Sequence, residues 1–228
     1  MAKEPKIKVT KNGPYVVSGN VPLVKQDIVA DAQGQSIEWR TVSRFEDQDT
    51  YALCRCGHSS NKPYCDGTHA KIGFDGIETA SREPYLKQAG LLRGPVDSLT
   101  DAESLCAFAR FCDPNGKVWA QVGETDNPTV EKTFVRQIND CPSGRLVAWQ
   151  NDSGKPIEEQ RDRIIALVED IAEGCSGPLW VQGGIQVEAA DGTAYEVRNR
   201  MTLCRCGQSS NKPFCDGTHA SFKFSDKN

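Results

Sequence analysis

One seventeen-residue stretch occurs twice in this chain, and few folds can accommodate it. CRCGHSSNKPYCDGTHA runs from Cys54 to Ala70 and CRCGQSSNKPFCDGTHA from Cys204 to Ala220. The two differ only at His58 against Gln208 and Tyr64 against Phe214. Each copy brings three cysteines and a histidine at identical spacing, in a chain with three histidines in total. Disulfide pairing has no use for that histidine, so the pattern points to metal. With no apolar run of signal-peptide or membrane-spanning length, a soluble, cytoplasmic protein is expected. Ten cysteines held reduced there need an explanation other than disulfides. The formal charge of −4 provides no basic surface for nucleic acid.

The repeat reaches beyond the cysteines. Gly13 to Val21 lines up with Gly177 to Ile185, and each leads to a second β-rich stretch, YALCRC or MTLCRC. Each half reads as short strands, a cysteine loop and a short helix. The longer DAQGQSIEWRTVSRFEDQD connection of the first copy reads as a surface hairpin. An α+β fold is expected, with a first unit over residues 1–86, a middle segment of mixed α and β structure over 87–174 and a second unit over 175–228.

Four potential ligands stand in each copy: Cys54, Cys56, Cys65 and His69, then Cys204, Cys206, Cys215 and His219. Mixed sulfur and nitrogen donors suit a tetrahedral zinc or a two-iron cluster with two ligands per iron. Structural zinc favours cysteine pairs two to four residues apart, whereas here one residue separates the first pair, which favours iron. Asp66 is expected to be the N-cap of a short helix with Gly67, Thr68 and His69 in its first turn. Arg55 and Arg205 read either as offsets to cluster charge or as solvated surface residues. His58, matched by Gln208, reads as exposed and non-ligating.

Cys-x-Cys, then Ser, then Pro-x-Cys-Asp-Gly-Thr-His resembles the CDGSH iron-sulfur domain family, with threonine in place of the nominal serine. The resemblance implies a [2Fe-2S] cluster held by three cysteines and one histidine, the outer iron bound through Cys65 and His69 or through Cys215 and His219. It also implies a swapped β-strand cap, which dimeric members build from two chains; two copies in one chain would form the corresponding pseudo-dimer within a monomer. Three thiolates and a neutral imidazole leave the oxidised centre at about −1, and reduction takes it to about −2, so the potential should exceed the roughly −400 mV of four-cysteine plant-type ferredoxins. The histidine should make both potential and cluster retention sensitive to pH.

Leu99 to Cys112 reads as a helix, with a Thr100/Glu103 capping box and with Leu105, Phe108 and Cys112 on one face. A turn at Asp113-Pro114-Asn115-Gly116 and a strand-like KVWAQV follow, and Ile164 to Ile171 suits helix or strand. Cys106, Cys112 and the Cys141-Pro142 pair resemble a divergent single-cluster ferredoxin-type module, with Ala109 where the middle cysteine would stand. Such a set would suit a [3Fe-4S] cluster better than [4Fe-4S]. On a regular helix Cys106 and Cys112 would not share a face, so core packing is the preferred reading, with Cys175 also a non-ligand. The function expected is electron transfer, or cluster storage and transfer, toward a redox partner protein or an apo-protein acceptor. A zinc-filled interaction module and a cluster relay inside a redox enzyme are the alternatives.

Overall fold

The computed structural model describes residues 4–226. Twelve strands make three sheets among these residues. The first copy supplies β1 (Lys6–Val9), β2 (Tyr15–Ser18), β3 (Leu23–Ala30), β4 (Ser36–Arg44) and β5 (Thr50–Leu53), followed by the one-turn helices α1 (Thr68–Lys71) and α2 (Tyr85–Gln88). The middle contributes β6 (Gly90–Arg93), β7 (Asp97–Asp101), α3 (Val118–Gln121), α4 (Pro128–Asn139) and β8 (Leu146–Gln150). The chain continues through β9 (Ile165–Asp170), β10 (Cys175–Gln182), β11 (Gln186–Glu188), β12 (Arg200–Leu203) and α5 (Thr218–Ser221). The architecture is α+β: sheets with a few short helices.

Both copies exchange strands. The order β11-β1-β2-β5 brings a strand that follows β10 into the first copy's sheet, and β12-β10-β9-β3-β4 brings the first copy's β3 into the second copy's sheet. The registers match residue for residue. Tyr15 pairs with Leu53 as Leu179 pairs with Leu203, and Ile7 pairs in parallel with Val187 as Ile165 does with Leu23. Alternation sets the faces: Ile7, Val9, Tyr15 and Val17 turn inward with Leu167, Leu179 and Val181 into one shared core. β3 and β4 form the expected hairpin, with β4 mostly exposed.

The middle segment corrects three expectations. Leu99 to Cys112 is not a helix: Leu99 lies at the centre of β7, a short 3₁₀ turn spans Glu103–Leu105, and the chain from Cys106 on is irregular, with Phe108 and Arg110 at φ of 55° and 59°. The distant β8 supplies β7 with a ladder partner, which outweighs a local helical pattern. Thr100 caps nothing; its hydroxyl accepts from Trp149 Nε1 at 2.8 Å. KVWAQV is helical rather than extended, because Val118 and Val122, four apart, both bury into the core with Phe134 and Ile138. Residues 165–170 resolve as strand β9.

Candidate metal centres

Each cysteine loop is pinned by backbone bonds to its own strands. The Cys54 amide donates to Pro63 O at 2.8 Å and the Cys65 amide to Ala52 O at 2.9 Å; Cys204 and Cys215 repeat both bonds at the same distances with Pro213 and Thr202. Ser59 Oγ donates to Tyr64 O at 2.6 Å and accepts from the Asn61 amide, closing the turn. Asp66 ties Ser60 to the amide of Thr68, but α1 starts at Thr68, after Gly67 in the left-handed conformation at φ 85°. Gly67 therefore lies outside the helix, contrary to the expected first turn. One turn is also too short to build the dipole anticipated for it.

The donors meet two by two. Cys54 Sγ is 3.7 Å from Cys56 Sγ, and Cys65 Sγ is 3.3 Å from His69 Nδ1. Cys204 with Cys206 and Cys215 with His219 repeat these distances, 3.7 and 3.3 Å. Among the described residues no three His, Cys, Asp or Glu side chains converge on one metal ion. In each tight pair one thiol is pulled down by its neighbour and by backbone amides, Cys54 to about 6 and Cys204 to about 7, while Cys56 and Cys206 are pushed up. Burial pushes Cys215 up, with Cys204 adding to the rise, and lowers His219 to about 4. Two thiols that divide one easy ionisation between them need nearby positive charge to ionise together, as a bound metal would supply.

The loops of the two copies meet back to back. A side chain on Gly57 would strike Cys206 O at 2.5 Å, and one on Gly207 would strike Cys56 O at 2.5 Å, so glycine is required at both. Tyr15 bridges them: its ring lies under the Arg55 guanidinium, and its hydroxyl donates to Cys204 O at 2.8 Å. Sequence reading missed this role, because Leu179 stands at the matching position. Arg55 and Arg205 are buried, at 1% and 4% exposure, which overturns the solvated reading. His58 is exposed as expected, and Cys175 is buried in β10.

In the middle segment Cys106, Cys112 and Cys141 line one pocket, together with Ala109 and Arg145. Burial pushes Cys112 up to about 12, with Asp113, Cys141 and Cys106 adding to the rise. Arg145 binds Asp101 through Nε at 2.5 Å and stands beside Cys106. Without the expected helix, the separation of Cys106 from Cys112 is no obstacle to a shared centre. The same loop also packs on the second copy: a side chain on Gly217 would meet Phe108 Cβ at 3.1 Å and Cys106 O at 3.3 Å.

Comparison with protein families matches the iron-binding zinc finger CDGSH type at residues 12–70 and again at 176–220. A divergent 4Fe-4S mono-cluster family matches residues 93–151. No curated protein and no solved structure matches the chain. The chain thus carries two regions of the CDGSH iron-binding type on either side of a region that matches a divergent mono-cluster ferredoxin-like family.

Proposed function

We propose that the protein is an electron carrier with [2Fe-2S] centres at Cys54, Cys56, Cys65 and His69 and at Cys204, Cys206, Cys215 and His219. A third centre, [4Fe-4S] or [3Fe-4S], belongs to Cys106, Cys112 and Cys141. The observation that carries this reading is the pairing of donors in both copies, 3.7 Å in each cysteine pair and 3.3 Å in each cysteine-histidine pair, inside the two regions that match the CDGSH iron-binding type. A single zinc would gather four donors around one point, whereas a binuclear centre asks for two pairs. When bound, such centres supply one-electron exchange.

The chain's own residues do the rest. Gly57 and Gly207 let the two cysteine loops approach, and Tyr15 links them through its hydroxyl. Gly217 lets the middle loop do the same against the second copy. The matched registers and reciprocal strand exchange support a pseudo-twofold pair within one chain, the monomeric counterpart of a dimer. A histidine in each ligand set makes cluster retention sensitive to acid, because protons compete for its lone pair.

The half-buried His69 end is where a redox partner protein or an apo-protein acceptor would dock, and its access favours cluster transfer as the second reading. Ten free thiols among the described residues suit a reducing cytoplasmic setting. No described helix is long and apolar enough to cross a membrane. The test is an absorption spectrum of anaerobically purified protein with iron, sulfide and zinc counted per chain. Visible bands with about four irons fit two binuclear centres, and about seven or eight fit three. A colourless, zinc-filled protein refutes the carrier and supports a scaffold.

A further inference from the structure

The two copies anchor their buried arginines alike but neutralise only one. Arg55 Nε donates to Gly13 O at 2.8 Å and Nη2 to Thr10 O at 3.0 Å; Arg205 donates to Gly177 O at 2.6 Å and Val168 O at 2.7 Å. Phe74 lies against the first guanidinium and Phe224 against the second. There the likeness ends. Arg205 pairs with Glu169 at 3.0 Å and with Asp226. No carboxylate of the described residues pairs with Arg55, and its buried Nη1 has no hydrogen-bond partner.

The difference is written in the sequence outside the motif. Counted from Cys54 and from Cys204, Gly76 falls where Asp226 stands. Val9 pairs with Tyr15 as Leu167 pairs with Leu179, so two residues further on Lys11 falls where Glu169 stands. Around the second copy the other charges balance: Lys25 approaches Glu169 at 3.9 Å, and Arg110 is matched by Asp170 and Glu173. The Arg55 charge stands close to the first ligand set, since the Gly13 carbonyl it binds belongs to a residue whose Cβ would lie 3.6 Å from His69 Nε2.

Reduction adds one negative charge to a centre, so an uncompensated guanidinium nearby favours the reduced form, whereas a neutralised one in a buried site does not. Greater solvent access at His69 works in the same direction. Building on the binuclear reading above, we infer that the two identical ligand sets hold centres of unequal reduction potential. The first is the higher, and the exchange of Lys11 and Gly76 for Glu169 and Asp226 sets the split. An electron accepted from a one-electron donor then rests at the accessible end of the molecule.

The test is a dithionite titration of the purified holoprotein followed by absorption and EPR, with iron and sulfide counted in every sample. The expected result is that the two binuclear centres, told apart by EPR from any wave of the middle domain, give two one-electron waves separated by at least a tenfold difference in equilibrium constant, which is about 59 mV. Asp226→Gly raises the lower wave alone, and Gly76→Asp lowers the upper wave alone. The new Cβ at Gly76 would press on the Arg55 guanidinium and the Phe74 ring, two side-chain ends that must shift to admit it, in the same guanidinium-carboxylate neighbourhood that Arg205 tolerates. Glu169→Gln, which keeps the side-chain shape, repeats the test at the second arginine. Coincident waves, or waves unmoved in variants that retain full iron and sulfide, overturn the inference while leaving two binuclear centres in place. A colourless zinc protein overturns the inference and the reading beneath it together.

Discussion

His69 and His219 sit in the same four-residue helix of the same motif, each 3.3 Å from its cysteine, yet one is half-buried and the other is 3% exposed. The difference lies wholly outside the repeat. Nothing stands within 4 Å of a side chain built on Gly67, whereas at Gly217 the backbone of Cys106 and the backbone and Cβ of Phe108 close over the loop. The cysteine-histidine geometry is thus a local property, fixed by seventeen residues; access to the histidine is tertiary, fixed by the domain inserted between the copies.

The largest expected effect follows from access. A ferrous chelator added to the reduced holoprotein at mildly acidic pH should remove iron from the two histidine-ligated centres in two phases. The gap should be about tenfold or more, the factor that ~1.4 kcal/mol of cover opening gives. His69→Cys should slow the fast phase alone and His219→Cys the slow phase alone, since a thiolate replaces the ligand for which protons compete. A single phase in the native protein would mean that the cover does not govern release.

The cover can be loosened from the outside. Arg110, in the irregular loop after Cys106, holds Asp170 with two bonds, 2.6 and 3.1 Å. Arg110→Ala leaves a buried carboxylate without its partner and frees the loop, so the slow phase should accelerate severalfold while the fast phase keeps its rate. Equal acceleration of both phases would show a global loss of stability instead.

A smaller effect separates contact from strain. Gly67→Ala and Gly217→Ala both force a side chain into the left-handed region, at about 1–2 kcal/mol each. Only the second also pushes against Phe108 and Cys106. Melting of the two variants should differ by a few degrees, since 1 kcal/mol is about 2–4 °C at this size. Equal losses would place Phe108 clear of Gly217.

What the sequence made legible follows the same division. The repeated close pairing of the cysteine and histidine side chains, the exposed His58 and the alignment of Gly13-Pro14 with Gly177-Pro178 could be read directly, because repeated spacing reports repeated local geometry. The segment from Leu99 to Cys112 could not. Its apolar spacing is helical, but β8 lies more than forty residues away and supplies a ladder that no local pattern announces. The expected helix then hid the pocket shared by Cys106, Cys112 and Cys141, because it placed Cys106 and Cys112 on different faces. The burial of Arg55 and Arg205 was equally invisible, since the partners common to both are backbone carbonyls, of residues 10, 13, 168 and 177, which any side chains there would offer.

The smallest expected effect tests the packing of the cover itself, which the first site lacks. Trp39 stacks on Phe111 of the covering loop, with centroids 4.8 Å apart, and its Nε1 donates to the carbonyl of Asp140 at 3.0 Å. Burial pushes the Asp140 carboxyl up to about 6, with Arg161 offsetting part of the rise. A carboxyl raised in the folded state holds its proton more tightly there than in the unfolded chain. Its contribution is therefore fully present below the ordinary value near 4 and is lost as pH climbs through about 6. Asp140→Asn removes that loss, so at pH 7 the variant should melt a few degrees above the native protein, and the gap should shrink as pH falls to 5. Iron release from the first site should not change, since Asp140 touches only the covered half. A variant that melts lower at pH 7 would show that the charge at Asp140 steadies the cover, with Arg161 and Arg136 outweighing its burial.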